Sequence, residues 1–180
     1  MLIADGVLLR PFKNSDAAAF AAAVLESADT AGRWLPWCRA GYSEQDALAW
    51  FAVCHAAREA GSAYDFAVIC QDSGEFLGGV GLNQIMSHLP FCNLGYWVRQ
   101  SRQRQGIALR CVQALSRYAF EQIGLHRVEI VVACGNLASE ALALKVGAQR
   151  ESLARNRLLL HGTPVDAHMF ALLPGPAQAA

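Results

Sequence analysis

The sequence has no net charge: 15 Lys+Arg stand against 15 Asp+Glu in 180 residues. A broad polyanion-binding surface needs a basic excess to displace counterions, so nucleic acid is not an expected partner. Lysine is almost missing. Lys13 and Lys145 are the two in the chain, and every other basic residue is arginine. The six cysteines form no C-x-x-C pair, and neither they nor the five histidines cluster. A zinc site needs clustered ligands, so no metal is expected. Scattered thiols of this kind read as reduced, which points to a cytoplasmic protein. No apolar run reaches the ~20 residues that cross a bilayer. Met1-Leu2-Ile3-Ala4-Asp5 lacks a basic n-region, so neither a signal peptide nor membrane association is expected.

What the chain does have is apolar mass. A hydrophobic fraction of 54% is enough for a large core. One domain is expected over residues 1–173, with a tail at 174–180 that frays. The zero charge also hides an asymmetry. Residues 1–90 carry 5 basic and 10 acidic side chains, and residues 91–180 carry 10 basic and 5 acidic. Four arginines (Arg99, Arg102, Arg104, Arg110) fall in one twelve-residue stretch. The guanidinium fork suits phosphate and carboxylate, so a local anion site is expected there. The acidic first half would suit a cationic ligand.

Periodicity and punctuation divide the chain. Val7 to Arg10 reads as a strand stopped by Pro11. Ser15-Asp16 offers N-cap oxygens for a helix to about Leu25. Gly32 to Tyr42, with Trp34, Pro36 and Trp37, reads as an ordered loop whose tryptophans either join the core or wall a site. Ser43-Glu44-Gln45-Asp46 is a capping box with Asp in place of Glu, opening a helix with Ala47, Leu48, Phe51 and Cys54 on one face. Phe66–Cys70 and Phe76–Gln84 form a hairpin around Asp72-Ser73-Gly74-Glu75. Cys92–Val98 is a third strand, Gly106–Ile123 a long amphipathic helix, and Val128–Val132 a buried strand. Leu137–Val146 is a helix closed by Gly147. Leu153–Leu160 and Val165–Leu173 make a final hairpin around His161-Gly162.

The stretch from Tyr96 to Ala108 is the most informative. A strand leads through a polar loop, Arg99 to Gln105, into a helix that starts at Gly106-Ile107-Ala108. Main-chain N–H groups at such a start, with the helix dipole, make an anion site. A solvated loop that merely caps the helix is the plainer alternative.

The loop has the form Gln-x-x-Gly-x-Ala, after a strand and before a long helix. It resembles the pyrophosphate loop of the GNAT N-acetyltransferases, which use acetyl-coenzyme A. The likeness continues in Leu8-Leu9-Arg10-Pro11 with Ser15-Asp16, in Gly78-Gly79-Val80-Gly81-Leu82 and in Leu94-Gly95-Tyr96-Trp97-Val98. It ends in Gly124-Leu125-His126-Arg127-Val128-Glu129, Asn136-Leu137-Ala138-Ser139 and Lys145-Val146-Gly147. The pattern is most similar to the RimJ/RimL subgroup, which resembles ribosomal-protein N-terminal acetyltransferases. It implies an α/β (α+β) GNAT fold: a mixed, mostly antiparallel sheet of about seven strands with helices on both faces.

The resemblance also implies roles. Main-chain amides from Gln103, Arg104, Gln105, Gly106, Ile107 and Ala108 hold the pyrophosphate, with Arg99 beside them. Trp97 and Val98 bond the pantetheine arm as an added strand would. Asn136 bonds the same arm, and Ser139 lies near the thioester sulfur, where it stabilises or protonates the departing thiolate. Asn136 and Ser139 also read simply as an N-cap and a surface serine. Apart from the resemblance, the candidates for proton removal are Asn83, to orient a water, and Asp166 or Tyr96, to accept the proton; each also reads as a structural residue. The acceptor is a primary amine: a protein N-terminus, or a small amine or peptide. A non-catalytic acyl-CoA-binding module is the reading from a different class. A homodimer fits the resemblance.

Three positions depart from the family pattern. Arg104 stands where the first loop glycine is usual, which is tolerable only with negative φ. Ala143 stands where many members carry a tyrosine acid, seven residues after the asparagine. Ala148 replaces an aromatic after Gly147.

Overall fold

The computed structural model describes residues 1–85 and 88–175. The chain opens with a hairpin, β1 (Leu2–Ala4) and β2 (Val7–Arg10). Asp5 and Gly6 form its two-residue turn, both with positive φ. An Asp-Gly pair is a strong hairpin signal, and β1 is the strand that raises the sheet from the expected seven to eight.

Helices α1 (Ala17–Ser27) and α2 (Glu44–Glu59) follow. The capping box forms as its sequence implies. Ser43 Oγ accepts from the Asp46 N–H at 3.1 Å, and Asp46 Oδ2 accepts from the Ser43 N–H at 2.8 Å. The chain then runs through β3 (Tyr64–Cys70), β4 (Phe76–Asn83), β5 (Phe91–Val98), α3 (Ile107–Tyr118), β6 (Arg127–Ala133), α4 (Leu137–Lys145), β7 (Gln149–Leu160) and β8 (Thr163–Leu172). The helix expected to reach Ile123 loosens into a π turn over Ala119–Ile123 and stops at Gly124, whose φ of 79° is left-handed. The expected fraying tail lies, from residue 176 on, outside the described residues.

All eight strands form one sheet in the order β1-β2-β3-β4-β5-β6-β8-β7. Every neighbouring pair is antiparallel except β5 with β6. Strand alternation sends apolar side chains to both faces. On one face Val80, Leu82, Leu94, Val128, Ile130 and Phe170 pack against the buried stripe of α3, Ile107, Cys111, Val112 and Leu115. On the other, Phe76 and Trp97 join Phe20 of α1 and Phe51 of α2. Trp37 is exposed but rests on the edge of this second core, with its ring centroid 5.5 Å from that of Trp97.

One interruption positions everything that follows. Strands β5 and β6 pair only at Phe91↔Arg127, Cys92↔Val128 and Asn93↔Glu129. Beyond that point β5 stays with β4 as far as Gly78↔Val98, and β6 stays with β8 as far as Ala133↔Ala167. Each strand follows its antiparallel partner, and the sheet splits into a wedge.

Candidate active site

The wedge opens into a cavity of about 700 Å3. Leu94 to Val98 of β5 form one wall and Ile130 to Ala133 of β6 the other, with the starts of α3 and α4 behind them. The edge of β5 that faces the wedge has no strand partner past Asn93. Main-chain N–H and C=O groups left this way demand a partner. An extended ligand supplies one in the manner of an added strand.

The loop at the mouth is held by carboxylates from the first half of the chain. Glu26, near the end of α1, accepts from Arg99 Nε at 3.1 Å and from the Ser101 N–H at 2.6 Å. Arg99 also reaches Glu75, and Arg102 binds Glu75 at 2.6 Å. Ser27 Oγ accepts from the Gln100 N–H at 3.0 Å. The hydrogen bond from Arg99 drives the Glu26 carboxyl down to about 2, against the cost of burial. Arg99 is therefore committed to Glu26 and Glu75 and does not line the cavity, contrary to its expected place at the cofactor. The Gln105 side chain turns to the Ser101 carbonyl at 3.4 Å and also lies outside the lining. Arg110 sits 3.9 Å from Asp5, at the β1–β2 turn.

Gln103, Arg104, Gly106, Ile107 and Ala108 do line the cavity. Gln103 Nε2 donates to the Val98 carbonyl at 3.1 Å and folds the loop onto the end of β5. Arg104 has φ of 61°, the left-handed conformation of a glycine, so the expected negative φ is overturned. A non-glycine residue there bears strain of roughly 1 kcal/mol. Gly106 is the N-cap of α3, with φ of 73° and no side-chain cap, and no acid occupies the first turn. The first N–H groups of α3 stay unshielded for an anion.

Across the wedge, Asn136 caps α4: its Oδ1 accepts from the Ser139 N–H at 3.3 Å. The expected N-cap role and the placement in the lining hold together. The Tyr96 hydroxyl, rising from β5, lies 2.7 Å from Ser139 Oγ and 3.3 Å from the Ser139 carbonyl oxygen, and its one hydrogen serves the shorter contact. Burial pushes the Tyr96 hydroxyl above its ordinary range, with the bond to Ser139 opposing. It stays protonated at neutral pH and is a donor, where the sequence reading had it as a proton acceptor. Asn83 sits at the closed end of the wedge, accepts from Asn93 Nδ2 at 3.1 Å, and is outside the lining. Asp166 accepts from the Asn156 N–H at 2.9 Å and secures an irregular stretch of β7. Neither is placed to move a proton at the wedge. Ala143 is fully buried and outside the lining.

Sequence reasoning missed part of the wall. Trp34 takes the wall position that was one of its two expected places, but Arg33 and Leu35 in the same loop, and Leu158 of β7, also line the cavity. His161, at the tip of the last hairpin, meets the Gly32 carbonyl at 2.9 Å and draws these segments together. The aromatic loop carried a signal, but its partner on β7 is distant in sequence and left none. Three carboxylates of the first half, Asp16, Glu26 and Glu75, are taken up by Arg10, Arg99 and Arg102. Asp29 is the single carboxylate in the lining among the described residues, so the acidic half does not form a cation-binding wall.

Residues 7–149 match the family model of the acetyltransferase (GNAT) domain. The chain belongs to the GNAT acetyltransferases. It is related to the ribosomal-protein acetyltransferases of the RimJ/RimL kind. YdaF of Bacillus subtilis (strain 168) is 27% identical over 177 residues, covering 94% of this chain and 92% of the relative. The ribosomal protein uS5-alanine N-acetyltransferase of Escherichia coli (strain K12) is 28% identical over 117 residues, covering 64% of this chain and 60% of that enzyme. The matched stretch covers 58% of the N-acetyltransferase YoaA of Bacillus subtilis (strain 168). RimJ of Mycobacterium smegmatis, solved with a CoA-disulfide, is 26% identical and superposes with a TM-score of 0.86 over 93% of this chain and 81% of that one. No helix among the described residues is long and apolar enough to cross a membrane.

Proposed function

We propose that this GNAT acetyltransferase moves the acetyl group of acetyl-coenzyme A onto a primary amine, with a protein N-terminus as its acceptor. The observation that carries the reading is the free β5 edge leading directly to the unshielded N-terminus of α3. An extended pantetheine arm matches the edge, and a pyrophosphate matches the helix end. Arg104 and Lys145 line the same cavity and add positive charge. That the related RimJ was solved with a CoA-disulfide supports coenzyme A as the ligand.

In this reading the main chain at Trp97 and Val98 holds the arm, and an N–H near Val98 polarises the thioester carbonyl. Asn136 fixes the first turn of α4. Ser139 donates a hydrogen bond to the sulfur as the C–S bond breaks. Trp34, Leu35 and Leu158 wall the acceptor. An α-amino group has a pKa of about 7.7–8.0, so a useful fraction is neutral at physiological pH and orientation contributes much of the acceleration. No side chain need serve as a strong base.

The test is thiol release and mass gain with a panel of amines: peptides with free or blocked N-termini, lysine ε-amines, and small amines. Acetylation confined to free peptide N-termini supports the reading. Acetylation of small amines alone replaces the acceptor. Tight acetyl-CoA binding with no acetylation of any amine leaves a binding module.

A further inference from the structure

The tyrosine that many GNAT enzymes carry on α4 is absent here: its position holds Ala143, which is buried in the core. A phenol nevertheless reaches α4 from another element. Tyr96 projects from β5, and its hydroxyl lies 2.7 Å from Ser139 Oγ and 3.3 Å from the Ser139 carbonyl. Both residues line the cavity. We infer that Tyr96 is a positioning residue that donates to Ser139 Oγ and so turns the serine hydrogen toward the cofactor sulfur. This inference rests on the proposed acetyl transfer and adds to it a two-hydroxyl chain assembled from β5 and α4.

The direction of the chain follows from acidity. A phenol is a far stronger hydrogen-bond donor than an alkyl alcohol, so at 2.7 Å the phenolic hydrogen belongs on the serine oxygen. Ser139 Oγ then has its own hydrogen left to give, and the sulfur is the acceptor that needs it. A coenzyme thiol has a pKa of about 8.5, like a cysteine, and tyrosine about 10. Burial keeps Tyr96 above that ordinary value. Full proton transfer from tyrosine to thiolate is therefore uphill. The chain stabilises the leaving group by hydrogen bonding alone. As the amine nitrogen bonds to the carbonyl carbon, the C–S bond breaks and its electron pair stays on sulfur. The amine sheds one proton to water, and water returns one to the thiolate.

The inference is tested without an acceptor, by titrating the thiol of bound coenzyme A through its thiolate absorbance in the full chain. Wild type is expected to lower that pKa below the free value. Tyr96→Phe, which keeps the ring in place, and Ser139→Ala are each expected to return it upward by about one unit, a tenfold change, with no further shift in the double variant. The N-terminus of α4 and the charged lining residues Asp29, Arg33, Arg102, Arg104 and Lys145 also act on the thiol, but they are common to all variants, so the difference reports the pair. Affinity for desulfo-coenzyme A, unchanged across the set, shows that the site remains folded. In turnover, Tyr96→Phe lowers kcat roughly tenfold with KM for acetyl-CoA within about twofold. A Tyr96→Phe thiol that titrates like wild type, with coenzyme A tightly bound, overturns this inference alone. Failure of wild type to bind coenzyme A overturns both this inference and the acetyl-transfer reading.

Discussion

Glu26 at the end of α1 grips Arg99 at the end of β5, and the same carboxylate accepts the Ser101 N–H at 2.6 Å. The pair joins the acidic half of the chain to the basic half at the mouth of the wedge. It explains why Arg99 serves the scaffold, while Arg102, paired with Glu75, and Arg104 both line the cavity.

Glu26→Gln is expected to cost roughly 1–2 kcal/mol at neutral pH, allowing for the partial exposure of the pair. The Glu26 carboxyl is lowered to about 2 in the folded protein from its ordinary value of 4.5. Its contribution is thus complete above about 4.5 and fades as pH falls toward 2. Denaturant titrations of wild type and variant should converge over that window. Parallel pH profiles would remove the pair from the stability account. Acetyl-CoA affinity should fall as well, because the loop loses its anchor.

Arg104 pairs a left-handed backbone with a long cation, so two substitutions separate its roles. Arg104→Gly relieves the strain but loosens the unfolded chain, and stability should stay within about 1 kcal/mol of wild type. Arg104→Glu should weaken acetyl-CoA binding more than Arg104→Gly does, most clearly at low salt. Calorimetry across ionic strengths measures both. Equal affinities in Gly and Glu variants would deny the side chain a phosphate contact.

Gly79→Ala places a Cβ 2.8 Å from Trp97 Nε1. The indole is packed among Phe20, Phe76 and Trp37, so it has little room to yield. A loss of about 1–3 kcal/mol is expected from overpacking, with weaker acetyl-CoA binding as β5 shifts. A midpoint of denaturation equal to wild type would show that the indole moves freely.

Ala143→Tyr reinstates the residue type usual on α4, yet the position is closed to solvent. The substitution should destabilise by at least about 1–3 kcal/mol and should not raise turnover. Higher kcat in a folded variant would mean that the helix can turn this face to the sulfur.

Asn136→Ala removes the cap of α4, at a cost of about 1 kcal/mol. Because the cap bonds the Ser139 N–H directly, kcat should fall along with stability. Thermal melting and kinetics on the same preparation check this. A stability loss with wild-type kcat would leave Asn136 a cap only.

Local chemistry in the sequence determined most of the elements. The capping box at Ser43, the helix start at Gly106 and the turn at His161-Gly162 are each written within a few residues. The polar loop before a helix marked an anion site, and the order of motifs marked the family. The strand Leu2–Ala4 was legible in its Asp-Gly turn but short enough to miss. Tertiary structure decided which charges are free and which hydroxyls meet. Glu26 and Arg99 lie on separate elements, as do Tyr96 and Ser139, and only the packing of α1 and α4 against the sheet brings each pair within bonding distance. The wedge itself is a disagreement between two ladders, β4 with β5 and β8 with β6, and no single strand carries a sign of it.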